Sequence, residues 1–164
     1  MKTHNISVYY TEYGNIEELT SEDRELVIAA REASENAYAP YSKFRVGAAV
    51  RLSGGSIVKG ANVENAAYPS GICAERNALA NSVTNFPGEK PLSIAIAAFN
   101  DGGKADENVS PCGMCRQVIA EEESRNGNKI RMILSGTARI VIVESVSDLL
   151  PLQFNKDNLR AALP

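Results

Sequence analysis

The sequence predicts an α/β protein, a three-layer α/β/α sandwich on a five-stranded mixed sheet. Helical and strand patterns follow one another in the order α, β, β, α, β, α, β, β. Two of the helices follow strands, and one middle strand, Leu92 to Phe99, is apolar almost without a break. An unbroken apolar strand suits the centre of a sheet covered on both faces, and helices alternating with strands supply those covers.

Residues 1–20 read as an N-terminal extension, in which Ile6, Val8 and Tyr10 alternate like a short edge strand spanning Ile6 to Thr11. A poorly ordered terminus fits the same residues. Residues 21–164 read as a single domain. Thr20-Ser21-Glu22-Asp23 is a helix start, a hydroxyl cap followed by acids that complement the helix dipole. Leu26, Ala30, Ala33 and Ala37 then share one helical face, and Pro40 sets the stop near Ala39. Val46, Ala48, Val50 and Leu52 alternate as a strand, Ser53-Gly54-Gly55-Ser56 turns, and Ile57 to Val63 returns as its hairpin partner. A helix is expected from Cys73 to Val83, and the middle strand follows it. Asp101 to Val109 reads as a polar loop. A second helix is expected from Pro111 to Ser124, with Ser110 as its cap, Pro111 at its first position and Asn126-Gly127-Asn128 as its stop. Ile130 to Leu134 and Arg139 to Val143 complete the strands, and short helical pieces are expected at Ser147 to Leu150 and Asp157 to Leu163.

At 164 residues the chain is long enough to bury its own core. The formal net charge of −3 gives no basic field that would draw a polynucleotide or an acidic membrane. No apolar run approaches the ~18 residues of a membrane span, and the first residues lack the apolar stretch of a secretory signal. The expectation is a soluble, cytoplasmic protein. There, three cysteines, an odd number, argue against a disulfide framework and for metal binding or catalysis.

All three cysteines sit in two motifs, Cys73-Ala74-Glu75-Arg76 and Ser110-Pro111-Cys112-Gly113-Met114-Cys115-Arg116-Gln117. A Cys-x-x-Cys pair in the first turn of a helix puts two thiols on one side, able to grip one ion. Cys73 begins a helix in the same way, and unpaired N–H groups at both helix starts favour thiolates. Structural zinc is closed by four protein ligands, whereas catalytic zinc keeps a position open for water. A structural Cys₃His site completed by His4, the sole histidine, is one alternative. A redox dithiol of Cys112 and Cys115 is another, although it leaves Cys73 and Glu75 without a role. Three thiolates with an open fourth position explain all the residues best. Such a site carries net negative charge, which opposes loss of a proton from water. Arg76 is placed to offset that charge and Gln117 to add a neutral hydrogen bond. Arg116 has no comparable argument and reads as surface. Glu75, two residues from a ligand, is the candidate to take the water's proton and deliver it to a substrate nitrogen.

These two motifs, together with Tyr41 to Ala49, Asn62 to Tyr68 and Leu149 to Phe154, resemble the short, single-domain cytidine deaminases. The resemblance runs from about Glu22 to Leu159. It implies the cytidine deaminase-like fold and one zinc ion per subunit held by Cys73, Cys112 and Cys115, with Glu75 as the proton shuttle. By the same resemblance Asn62 and Glu64 would hydrogen-bond the ribose, and Phe44 would pack against the nucleoside. The Ala74 N–H and the Ser110 carbonyl would fix the pyrimidine edge and the leaving amine. It further implies a homotetramer in which Ala66, Tyr68 and Phe154 reach a neighbouring subunit's pocket. The expected reaction is hydrolytic deamination of cytidine and 2′-deoxycytidine to uridine and 2′-deoxyuridine, in pyrimidine salvage. A blasticidin-type deaminase would share the metal motifs but lack Asn62, Glu64, Asn65 and Arg76. A zinc-stabilised binding module would need a fourth protein ligand.

Overall fold

The structure, a computed structural model, describes residues 1–100, 103–104 and 108–160. Strands β1 (Thr11–Tyr13), β2 (Arg45–Leu52), β3 (Ile57–Ala61), β4 (Pro91–Asn100), β6 (Arg131–Ser135) and β7 (Ile140–Val143) form one sheet in the order β1-β7-β6-β4-β2-β3. The two-residue β5 (Gly103–Lys104) pairs with the end of β4. The five expected strands are all present, and β1 and β5 add to them at an edge and at a strand end. β4 and β6 are parallel, with Ala95 opposite Ile133, while the other pairs are antiparallel, so the sheet is mixed.

The layers follow from the side-chain pattern. Helix α1 (Ser21–Ser34) covers one face, where Leu26, Val27 and Ala30 pack with Ala49, Ala95, Ile133 and Ile142. Helices α2 (Ala74–Asn85) and α3 (Gly113–Asn126) cover the other, where Ala78, Leu79 and Ile119 pack with Val50, Ile94, Ile96 and Met132. Burial of one such side chain as large as Leu79 contributes roughly 1.5–3 kcal/mol. Two glycines set the layer spacing. A Cβ on Gly47 would lie 2.0 Å from the Ala30 carbonyl oxygen, and one on Gly60 would lie 2.4 Å from the Ala78 nitrogen. Strands β2 and β3 therefore touch the backbones of α1 and α2 directly. No helix among the described residues is long and apolar enough to cross a membrane.

Several boundaries depart from the sequence reading. The edge strand is Thr11–Tyr13 rather than Ile6 to Thr11, because Thr11 to Tyr13 find partners on β7 at Ile142, Val141 and Ile140. Thr20 caps α1 as expected, accepting from the Asp23 N–H at 3.2 Å, but the helix ends at Ser34 rather than near Ala39. Long-range pairing wins there: the Tyr38 N–H donates to the Asn62 carbonyl, and the Tyr38 carbonyl accepts from the Glu64 N–H. Helix α3 begins at Gly113, with Cys112 as its cap, so Ser110 and Pro111 lie before the helix. Gly127, at φ 69°, ends it in the left-handed conformation that glycine adopts without strain. The turn at Val146–Asp148 and helix α4 (Lys156–Arg160) occupy the expected C-terminal helical pieces. Most of the expected loop at Asp101 to Val109 and the last residues of the expected helix to Leu163 lie outside the described residues.

Candidate metal centre and nucleoside-sized pocket

Cys73 is the residue before the first turn of α2, and Cys112 is its counterpart on α3. Both have extended backbones, at φ −73°, ψ 153° and φ −65°, ψ 166°, so each residue caps a helix start, and the Met114 and Cys115 amides act on the Cys112 sulfur. Cys115 lies within the first turn of α3 and is fully buried. The three sulfurs lie within 4.8 Å of one another, with Cys73 to Cys112 at 3.9 Å and Cys112 to Cys115 at 3.5 Å. Tetrahedral zinc with bonds of about 2.3 Å to sulfur sets neighbouring sulfurs about 3.8 Å apart. The trio fits one such ion. His4 is exposed and is not in this cluster.

The thiols differ in acidity. Burial raises Cys73, and raises Cys115 further, with the Glu75 charge adding to the effect on each. Burial also works against ionising Cys112. The backbone amides of Cys115 and Met114 and the two neighbouring thiols outweigh it, and the Cys112 thiol is lowered. Glu75, in the first turn of α2, is 5% exposed, and burial raises its carboxyl above the usual range. Its own backbone amide, the Cys115 thiol and the Arg76 charge moderate that rise.

A cavity of about 500 Å³ opens beside the sulfurs, a size suited to a small ligand. Phe44, Asn62, Glu64 and Tyr68 line one side of it. Cys73, Ala74, Glu75, Arg76, Ser110 and Cys112 line the rest. Cys115 lies beneath this surface, while Ala66, Gln117 and Phe154 are not part of the lining. Tyr68, expected to reach a neighbour's pocket, borders this chain's own cavity and packs edge-on against Tyr41, with ring centroids 6.2 Å apart.

Long-range contacts define the remaining side chains. The Asn62 amide donates to the Phe44 carbonyl at 3.0 Å and accepts from the Val46 N–H at 2.8 Å, pinning the start of β2. The Arg76 guanidinium donates to the Met114 thioether at 3.3 Å. Gln117 donates to the Phe154 carbonyl at 2.9 Å, which ties α3 to the C-terminal segment. Arg116, read as surface from the sequence, donates to the carbonyls of Pro111 and Leu149, each at 2.8 Å, and to the Ser110 hydroxyl at 3.1 Å. Its position next to Cys115 was the one local signal that could have marked it.

Glu64 accepts from the Ser42 hydroxyl and from the backbone N–H groups of Tyr41 at 2.9 Å and Ser42 at 3.2 Å. The Ser42 hydroxyl is the largest influence on its carboxyl and lowers it; desolvation opposes this, and the two amides and the Lys43 charge keep the net shift downward. A carboxyl lowered in the folded state contributes stability above the unfolded carboxylate range and loses it as pH falls through the folded pKa. Melting temperatures of the parent and of Glu64→Gln should therefore differ at neutral pH and converge below the carboxylate range. A separation that stays constant across that pH series would contradict this assignment.

Thiols gathered at two helix starts, with a buried carboxylate beside them and room for a small ring above, define a metal-assisted hydrolytic centre. Residues 20–126 match the family model for the cytidine and deoxycytidylate deaminase zinc-binding region, and the chain belongs to that family. It is 39% identical over 138 residues to a cytidine deaminase of Halalkalibacterium halodurans, an alignment covering 84% of this chain and 98% of the relative. It is 40% identical, over 84% of its own length and 94% of the other's, to a cytidine deaminase of Sporosarcina psychrophila. Among solved structures, the cytidine deaminase from Burkholderia pseudomallei superposes with a TM-score of 0.70 at 37% identity, covering 83% of this chain and all of that one.

Proposed function

We propose that this protein is a zinc-dependent hydrolase that deaminates cytidine and 2′-deoxycytidine, releasing ammonia, in pyrimidine salvage. The observation that carries the reading is the cysteine trio at zinc-compatible spacing, beside the buried Glu75 and open to a cavity of nucleoside size. Family membership and relatives matched over nearly their full length support the same reading. Cys73, Cys112 and Cys115 would hold the ion. An ion held there would supply a Lewis acid that makes water easier to deprotonate.

The proton work falls to Glu75. Its carboxylate takes a proton from the water that adds to C4 of the pyrimidine and delivers it to ring N3. The carboxylate then takes the proton of the new C4 hydroxyl and passes it to the exocyclic amine, so that the C4–N bond breaks as the C4 carbonyl forms, and ammonia leaves. The Ala74 N–H and the Ser110 carbonyl orient the pyrimidine edge and the amine, and Phe44 packs against the nucleoside. Asn62 and Glu64 face the ribose, with Asn62 also fixing the strand that carries Phe44. Arg76 offsets the negative charge of the thiolates, and Gln117 ties the helix that carries Cys115 to the C-terminal segment.

The working assembly in this proposal is a cytoplasmic homotetramer with one zinc per subunit. Residues 21–164 would form the catalytic domain, and residues 1–20 an extension. Tyr68 and Phe154 are 77% and 57% exposed, as side chains that meet a neighbouring copy would be, and Ala66 lies on the same exposed stretch as Tyr68. Ammonia release measured with cytidine, 2′-deoxycytidine and cytosine, together with native mass, tests the proposal. Turnover of both nucleosides, with little of the free base, is the expected result. No release from either nucleoside by zinc-loaded protein would overturn it.

A further inference from the structure

We infer that Arg116 is a positioning residue of this site, a clamp that fixes the Ser110–Pro111 turn and the C-terminal segment relative to the cysteine helix. The inference rests on the proposed role of the Ser110 carbonyl. Three different donors of one guanidinium reach three acceptors: Nε to the Pro111 carbonyl, Nη1 to the Leu149 carbonyl and Nη2 to the Ser110 hydroxyl. Pro111 has no N–H of its own, so carbonyls and the serine hydroxyl are the polar handles this turn offers. Among the described residues, the hydrogen bonds that Ser110 and Pro111 accept all come from Arg116. Ser110 lines the cavity and Pro111 is buried, with Cys112 next in sequence. The clamp therefore holds the stretch of chain between the cavity wall and the first sulfur of α3.

On the other side it holds Leu149, while Gln117, the next residue of α3, holds Phe154. Between these two ties lies Leu152, whose φ of 58° is strained for a residue with a side chain. A strained backbone persists where its flanks are fixed, and consecutive residues of α3 fix both. An arginine is required because its planar fork spans several acceptors, which a lysine ammonium on a flexible stem does not reproduce.

A shift of the Ser110 carbonyl would affect the amine as it leaves, more than the binding of the intact nucleoside. Misplacement by about 1 Å can cost on the order of 10²-fold in rate. Interactions gained only in the transition state are read in kcat. The test uses zinc-loaded Arg116→Met and Arg116→Lys, with Arg125→Met as control. Arg125 is on the same helix but pairs with Glu122, away from the cavity. Each variant is assayed for kcat and KM on cytidine, for zinc transfer to a chromophoric chelator, and for melting temperature and native mass. Expected are folded Arg116 variants with kcat lowered roughly ten- to hundredfold, KM close to the parent's and faster zinc release, with the control matching the parent. If Arg116→Met does not fold, Arg116→Lys decides. Parental kcat and zinc release in the lysine variant would overturn the inference. So would a loss proportional to zinc or folded content, or failure of both variants to fold. If the parent itself leaves cytidine intact, the proposed function fails, and the zinc-release rates still test the clamp.

Discussion

Glu75→Ala should fold, hold one zinc per chain, and release ammonia from cytidine about 10²–10⁴-fold more slowly than the parent, the range general acid–base groups supply. The fold should survive because Glu75 sits in the first turn of α2, where alanine is a strong helix former, and because no ion pair among the described residues involves it. Removing it also removes a buried carboxyl that the surroundings push towards its neutral form. The metal should stay because the three sulfurs are untouched. Turnover should collapse because, among the described residues, the other carboxylate lining the cavity is Glu64, which is occupied by Tyr41 and Ser42. Zinc content by mass spectrometry and ammonia release together decide the matter. Near-parental turnover in a zinc-replete variant would remove Glu75 from the chemistry.

Cys115→Ala should have the opposite profile, losing metal, activity and part of the stability together. Two sulfurs would remain, one on each helix, and a pair at that spacing cannot close around a tetrahedral ion without a third donor. Cys115 is fully buried, so water replaces its sulfur poorly. Zinc bound to the native state but not to the unfolded chain stabilises folding by mass action, and the variant forfeits that contribution. Zinc content near zero is expected, with a melting temperature close to that of chelator-stripped parent. A variant that retains one zinc per chain would show that the ion is held by another donor set.

The chemistry was legible because its signals are local. Cys112 and Cys115 are three residues apart and Cys73 and Glu75 two, and spacing of this kind places side chains on known sides of a helix start. The five central strands were legible for the same reason, since alternation and apolar runs survive in any window of eight residues. What escaped the sequence depends on distant partners. The short edge strand exists because β7 offers it a register, and Ile6 and Val8 remain exposed although they carry the clearer alternation. Helix α1 ends early because Tyr38 pairs with a loop more than twenty residues away. Arg116 and Gln117 reach Leu149 and Phe154, separations of 33 and 37 residues that no helical periodicity reveals. The cap of α3 moved from Ser110 to Cys112 as part of the same network, since the Ser110 hydroxyl is taken by Arg116.

Gly60 lies on β3, and the groups its missing Cβ would strike are the Ala78 nitrogen and the Ala74 carbonyl. Ala74 is the first residue of α2 and the neighbour of Glu75. The reacting carboxylate is thus referenced to the sheet through bare backbone contact, with no intervening side chain whose rotamers could absorb a displacement. Adding a single methyl group behind the helix would shift the whole first turn, and with it the acid and one sulfur, without substituting any residue that lines the cavity. The reverse face of α2 therefore acts as a depth stop for the chemistry on its front.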